Sequence, residues 1–174
     1  MHIHTHRVRR NRGFTLIEIL VVIGMLAILS TVVLVAVNPL RQFAQARNTQ
    51  RQNDVAAVLN AISERIADKG GMFLGSTTDP NDPCRQSLPG NATNIALNAA
   101  NIRSCLVPTY ISELPRDPAN GVNTCKTTDC NVGNETYDLQ YTVAQDSNTN
   151  RITVCAPNAA ESALPGSTSF CLTP

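Results

Sequence analysis

The sequence predicts an α+β protein: a long N-terminal helix, transmembrane in its first half and amphipathic in its second, packed on a small antiparallel β-sheet head with disulfide-pinned loops. Three observations carry this. Residues 14–37 are an almost unbroken apolar run, residues 40–69 contain neither Gly nor Pro and hold an apolar stripe at helical spacing, and all six cysteines lie from Cys84 onward. The 174 residues include no Trp and only 4% aromatics, so the core of the head has to come largely from aliphatic side chains.

The chain opens on a basic leader, residues 1–13, which holds Arg7, Arg9, Arg10 and Arg12 without an acid and all three histidines, His2, His4 and His6. The formal charge of +1 therefore hides a division, because the remaining residues carry ten basic groups against thirteen acidic ones. Behind the leader, FTLIEILVVIGMLAILSTVVLVAV has one charged residue, Glu18, and no proline. As a helix it spans roughly 36 Å, enough for a hydrocarbon core of about 30 Å. Positive charge on its N-terminal side places that end in the cytoplasm and everything after Val37 outside. A secretory signal would have an apolar core of only about 7–15 residues closed by a small-x-small site. Here the run is longer and Ala36 is the one weak candidate for such a site, so the helix is expected to be retained.

Asn38-Pro39 predicts a kink or a brief break, since proline disfavours helical geometry in the residue before it. The helix then resumes. Val55, Val58, Leu59, Ile62 and Ile66 recur at three- and four-residue spacing and mark one buried face. Gly70-Gly71 supplies the C-terminal cap. Between Phe43 and Val55, AQARNTQRQND offers only alanines to a core, so this part is expected to be an exposed stalk or to be covered by neighbouring subunits. Arg41, Arg47 and Arg51 are expected at lipid headgroups or beside a neighbour's acids.

After Gly71 the composition turns to Pro, Gly, Asn, Asp and Thr. A short helix is expected within residues 95–106. Residues 136–144 and 151–156, separated by QDSNTN, read as an antiparallel hairpin in which Tyr137, Leu139, Tyr141 and Val143 share an apolar face. The Val55 to Ile66 stripe is its expected cover. Six cysteines in a polar, loop-rich exported region read as a disulfide framework. The expected pairs are Cys84 with Cys105, Cys125 with Cys130, and Cys155 with Cys171, the last closing a C-terminal loop.

Gly13-Phe14-Thr15-Leu16-Ile17-Glu18, behind a short basic leader and ahead of an unbroken apolar helix, resembles the processing signature of type IV prepilins and of type II secretion pseudopilins. That resemblance implies cleavage between Gly13 and Phe14 by a prepilin peptidase, N-methylation of Phe14 and retention of the helix as membrane anchor and filament core. It also implies that Glu18 pairs with the Phe14 amine of a neighbouring subunit. The alternative partner is the amine of the same chain. The implied organisation is a leader (1–13), a transmembrane or filament-core helix (14–37), an amphipathic stalk helix (38–70) and a head (71–174). The implied partners are copies of the chain in a homo-oligomeric filament, the inner-membrane assembly platform and membrane lipid. Family members often carry a proline inside the apolar run, whereas here the nearest is Pro39.

Residues 110–118, YISELPRDP, followed by Asn120-Gly121, resemble the loop before the sheet of major pseudopilins, which bind calcium nearby. Asp117, Asp129, Asp138 and Asp146 are oxygen donors of the right type. Their spacing matches no calcium-loop motif, so they are expected to be solvated turn residues and no cofactor is assigned. The leader histidines are set aside because the leader should be removed, a zinc site at Cys125 and Cys130 because an exported region without histidine favours a local disulfide, and glycosylation at Asn91 or Asn134 because the prepilin resemblance implies a prokaryotic exporter. Beyond the leader the chain has no His and only Lys69 and Lys126, which excludes Ser-His and Cys-His nucleophile pairs, and no enzyme is expected. Residues 71–174 hold five basic against nine acidic groups, a poor match to nucleic acid. A filament subunit is the expected function. The alternatives are a minor tip pilin that binds a surface or DNA, and a membrane-anchored binding module that does not polymerise.

Overall fold

A computed structural model of the chain describes residues 13–36, 38–74, 82–84, 86–130 and 132–174. The expectations placed on residues 1–12, including the leader arginines and histidines, and on the turn-forming residues 75–81, lie outside the described residues. Two compact units divide at Pro39/Leu40.

The first unit contains helix α1, Leu16–Ala36. Helix α2, Pro39–Asp68, follows after a break at Asn38. Pro39 takes its first helical position, where a missing N–H leaves no intrahelical bond unmade. At the other end Gly70 and Gly71 adopt positive φ, and the Gly71 amide donates to the Ile66 carbonyl at 2.8 Å, a bond that satisfies one of the helix's last free acceptors.

The second unit adds a five-stranded antiparallel sheet. Its strands are β1 (Thr93–Ala96), β2 (Val122–Asn123), β3 (Tyr137–Gln145), β4 (Ile152–Ala156) and β5 (Phe170–Leu172). The order is β1-β3-β4-β5, with β2 also paired to β3. Along β3, Tyr137, Leu139, Tyr141 and Val143 alternate inward and share one core with Val55, Val58, Leu59 and Ile62 of α2. The stripe thus meets the sheet face it was expected to cover.

The short helix expected within residues 95–106 is present, but only at the end of that range. Ile95 and Ala96 belong to β1, and only Arg103–Leu106 is helical (α3). Pairing with β3 buries both side chains and supplies backbone partners, which overrides the weak local preference. β3 bulges opposite β1, because Asn94 faces Thr142 while Ala96 faces Asp138. Gln140 takes φ 61° there, and the Asp138 carboxylate accepts from the Gln140 amide at 3.0 Å and from Asn94 Nδ2 at 2.7 Å.

Disulfides join Cys84 to Cys105, Cys125 to Cys130 and Cys155 to Cys171. The first fastens the segment after α2 to α3, the second closes a local loop, and the third joins β4 to β5 at directly paired positions.

Candidate functional site

The start of α1 is built from the Thr15 side chain. Thr15 Oγ1 and the Thr15 carbonyl accept from the Glu18 amide at 3.3 and 3.1 Å, and the carbonyl also accepts from the Ile19 amide. Thr15 and Glu18 have the T-x-x-E spacing of a capping box, a signal that the apolar run behind it masks in the sequence. The cap leaves Gly13 and Phe14 outside the helix and sets Glu18 in its first turn, where a carboxylate complements the helix dipole. Among the described residues a Cβ added to Gly13 would meet nothing within 4 Å, so no crowding by them demands glycine there.

Every described side chain of α1 is exposed, from Leu16 to Val33. That stretch has a mean hydropathy of 2.7, and α1 is the one described helix long and apolar enough to cross a membrane. Its 21 residues span roughly 32 Å. Ser30 and Thr31 return their hydroxyls to the Leu26 and Ala27 carbonyls at 2.7 and 2.9 Å, so neither needs a partner beyond the helix. Glu18 differs, because among the described residues no side chain pairs with its carboxylate.

The polar turns of α2 are only in part the exposed stalk expected from the sequence: Gln45, Ala46, Thr49, Gln50, Gln52 and Asn53 are exposed, but one side faces the head. Ala44 and Arg51 are fully buried. Arg51 Nε donates to Asp117 Oδ2 at 2.6 Å, and its Nη1 donates to Asn48 Oδ1 and Glu161 Oε1. Arg47 grips both oxygens of Glu161, and Asn48 Nδ2 donates to the Ala159 carbonyl at 2.9 Å. Arg47 and Arg51 therefore pair with acids of their own chain, not with lipid or a neighbour's carboxylates as expected. The hydrogen bonds from Arg47, then from Arg51, outweigh burial and hold the Glu161 carboxyl down to about 2. Burial pushes the Asp117 carboxyl up, but hydrogen bonds from Arg51, Asn120 and Ala119 outweigh it and hold it low. Asp54, one turn on, is raised by burial against the hydrogen bond it accepts from the Tyr141 hydroxyl at 2.8 Å.

Two further arginines are buried among the described residues and do similar work. Arg65 donates to the Phe73 and Cys105 carbonyls and to both oxygens of Asp82, with its guanidinium 5.5 Å from the Phe73 ring centre and 5.8 Å from that of Tyr110. Arg103 pairs with Glu113 and donates to the Thr127 carbonyl.

The four candidate calcium aspartates do not converge, and among the described residues no three His, Cys, Asp or Glu side chains could hold a metal ion. Asp117 is no solvated turn residue, since it is buried under Arg51 and caps the Ala119 and Asn120 amides at 2.9 Å. A Cβ on Gly121 would lie 2.5 Å from the Asp117 backbone nitrogen, so this turn closes only around glycine. Asp138 braces the β3 bulge, and Asp146 caps the Asn148 and Thr149 amides of the β3–β4 turn. Asp129 lies exposed between Cys125 and Cys130.

No curated protein and no solved structure matches the chain. Residues 8–34 match the family described as the prokaryotic N-terminal methylation motif. This match covers Gly13, Phe14, the Thr15 cap and Glu18, and it continues along the exposed apolar helix. Ahead of the α+β head, the chain thus carries the N-terminal methylation motif that is the type IV pilin and pseudopilin signature.

Proposed function

We propose that the chain is a structural filament subunit of a type IV pilus or type II secretion pseudopilus. It is inserted in the membrane as a prepilin, cut by a prepilin peptidase between Gly13 and Phe14, N-methylated at Phe14 and polymerised through α1 by an inner-membrane assembly platform. The carrying observation is the pairing of an apolar helix, exposed at every described side chain from Leu16 to Val33, with a first-turn carboxylate that no side chain of the described residues neutralises. Lipid covers the apolar surface of a stored subunit, and neighbouring helices cover it in a filament.

A carboxylate in such surroundings is expensive unless paired, by a few kcal/mol on insertion scales. Cleavage creates an amine on Phe14, close to Glu18 along the chain. Pairing Glu18 with the amine of the adjacent subunit gives the polymer an axial register, because a misplaced subunit leaves two charges unpaired in a dry core. The freedom at Gly13 supports the same reading. Nothing among the described residues requires glycine there, whereas a peptidase has to bring its catalytic groups against that backbone. Three disulfides in the second unit support an exported head with the leader in the cytoplasm.

Intact mass and N-terminal sequencing of the membrane-extracted chain test this directly. The expected product starts at N-methylated Phe14 and retains three disulfides. A chain still starting at Met1 overturns the processing step and favours an anchored module that does not polymerise. A mature chain found only as rare label at filament tips points to a minor subunit.

A further inference from the structure

The loop from Cys155 to Cys171 joins two features that are remote in sequence. At its base the disulfide links β4 to β5. At its middle Glu161 receives both Arg47 and Arg51, and the Ala159 carbonyl receives Asn48. Residues 44–51 of α2, AQARNTQR, have only two alanines to bury, so their seat on the head depends on these polar bonds and on Asp117. The disulfides also differ in access. Cys171 is exposed, whereas Cys84, Cys105 and Cys130 are buried.

We propose that the Cys155–Cys171 loop is a redox-sensitive strap that holds residues 44–51 of α2 on the head while it is bridged and frees them when it is reduced. A dithiol thiolate attacks Cys171 Sγ, the Cys155–Cys171 bond breaks, and the reagent's second thiol resolves the mixed disulfide. Two electrons pass from the dithiol to the protein, the reagent leaves as its cyclic disulfide, and its two protons end on Cys155 and Cys171. Opening the bridge restores the conformational freedom that loop closure had removed. Strand β5 is then held by three ladder pairs, the Thr153–Thr173 hydroxyl contact and the bonds from Arg151 to the Pro174 carbonyl. Once the loop swings away Glu161 leaves with it, and the polar turns of α2 fray because short helices without a packed face are marginal in water. The strap operates whether or not the chain polymerises.

The test uses the full chain in detergent micelles, treated with limiting dithiothreitol, alkylated, mapped by mass spectrometry and followed by amide hydrogen exchange. Cys155 and Cys171 are expected to alkylate first. In that species the amides of residues 44–51 exchange at least tenfold faster, while those of 58–66 are unchanged. Glu161→Ala, with all three disulfides intact, reproduces the faster exchange. First alkylation at another pair, unchanged protection of 44–51 in the opened species, simultaneous opening of 58–66, or wild-type protection in Glu161→Ala each overturns the strap.

Discussion

Helix α1 and the first turns of α2 are neighbours in sequence and opposites in chemistry. α1 is apolar on every side, yet none of its described side chains from Leu16 to Val33 is buried. Residues 44–54 of α2 are almost wholly polar, yet Ala44 and Arg51 are sealed from solvent. Hydropathy measures how strongly a surface avoids water and does not say what covers it. The cover of α1 is not among the described parts of the chain, whereas α2 is covered by its own head through directional bonds to two carboxylates.

The comparison can be broken at either helix. Glu18→Val is expected to leave cleavage and head melting unchanged while lowering filament yield at least a hundredfold, read from sheared material. Normal filaments from this variant would remove the register role assigned to Glu18. Arg51→Ala acts on the other side, because it leaves Asp117 buried beneath the head surface without its cation. A loss of about 3–5 kcal/mol in head stability is expected by denaturant titration in detergent, with cleavage unaffected.

Acid sharpens the contrast. The folded-state pKa values of Asp117 and Glu161 are depressed, so these groups bind protons less tightly in the folded head than in the unfolded chain. Their stabilisation is full above the ordinary carboxylate range, around pH 4, and is lost as pH falls toward about 2, where Glu161 titrates. Asp54 is raised and acts with the opposite sign, gaining stability as it protonates above its ordinary value. Head melting temperatures are therefore expected to be nearly flat from pH 7 to about 5 and to fall steeply below about 4. An equal fall in Glu161→Gln would assign the acid sensitivity to other carboxylates. The smallest effect belongs to Thr15→Val, which removes the cap oxygen at a cost of about 1 kcal/mol at the helix end. The Glu18 amide should then exchange about fivefold faster, Thr15→Ser should restore it, and the head should melt as before.

What the sequence made legible follows the same division. α1, the Val55 to Ile66 stripe and the β3–β4 hairpin were readable because burial on one side imposes a period on the residues. β1, β2 and β5 have four, two and three residues, too few for a period to emerge, and they exist because β3 and β4 offer them partners. The buried arginines were hidden for another reason. Asp117 and Glu161 lie 66 and 110 positions beyond Arg51, and no local spacing links an arginine to acids that far away. The Thr15 cap was available as T-x-x-E and was obscured by the apolar run behind it.

Gly121 shows how far a small push can travel in this molecule. Its missing side chain leaves the space in which the Asp117 backbone sits, and that backbone aims the carboxylate at Arg51. A single methyl group at position 121 acts as a wedge, displacing the receptor into which the helix is plugged. Residue 121 lies outside α2, but it governs whether the socket for Arg51 exists.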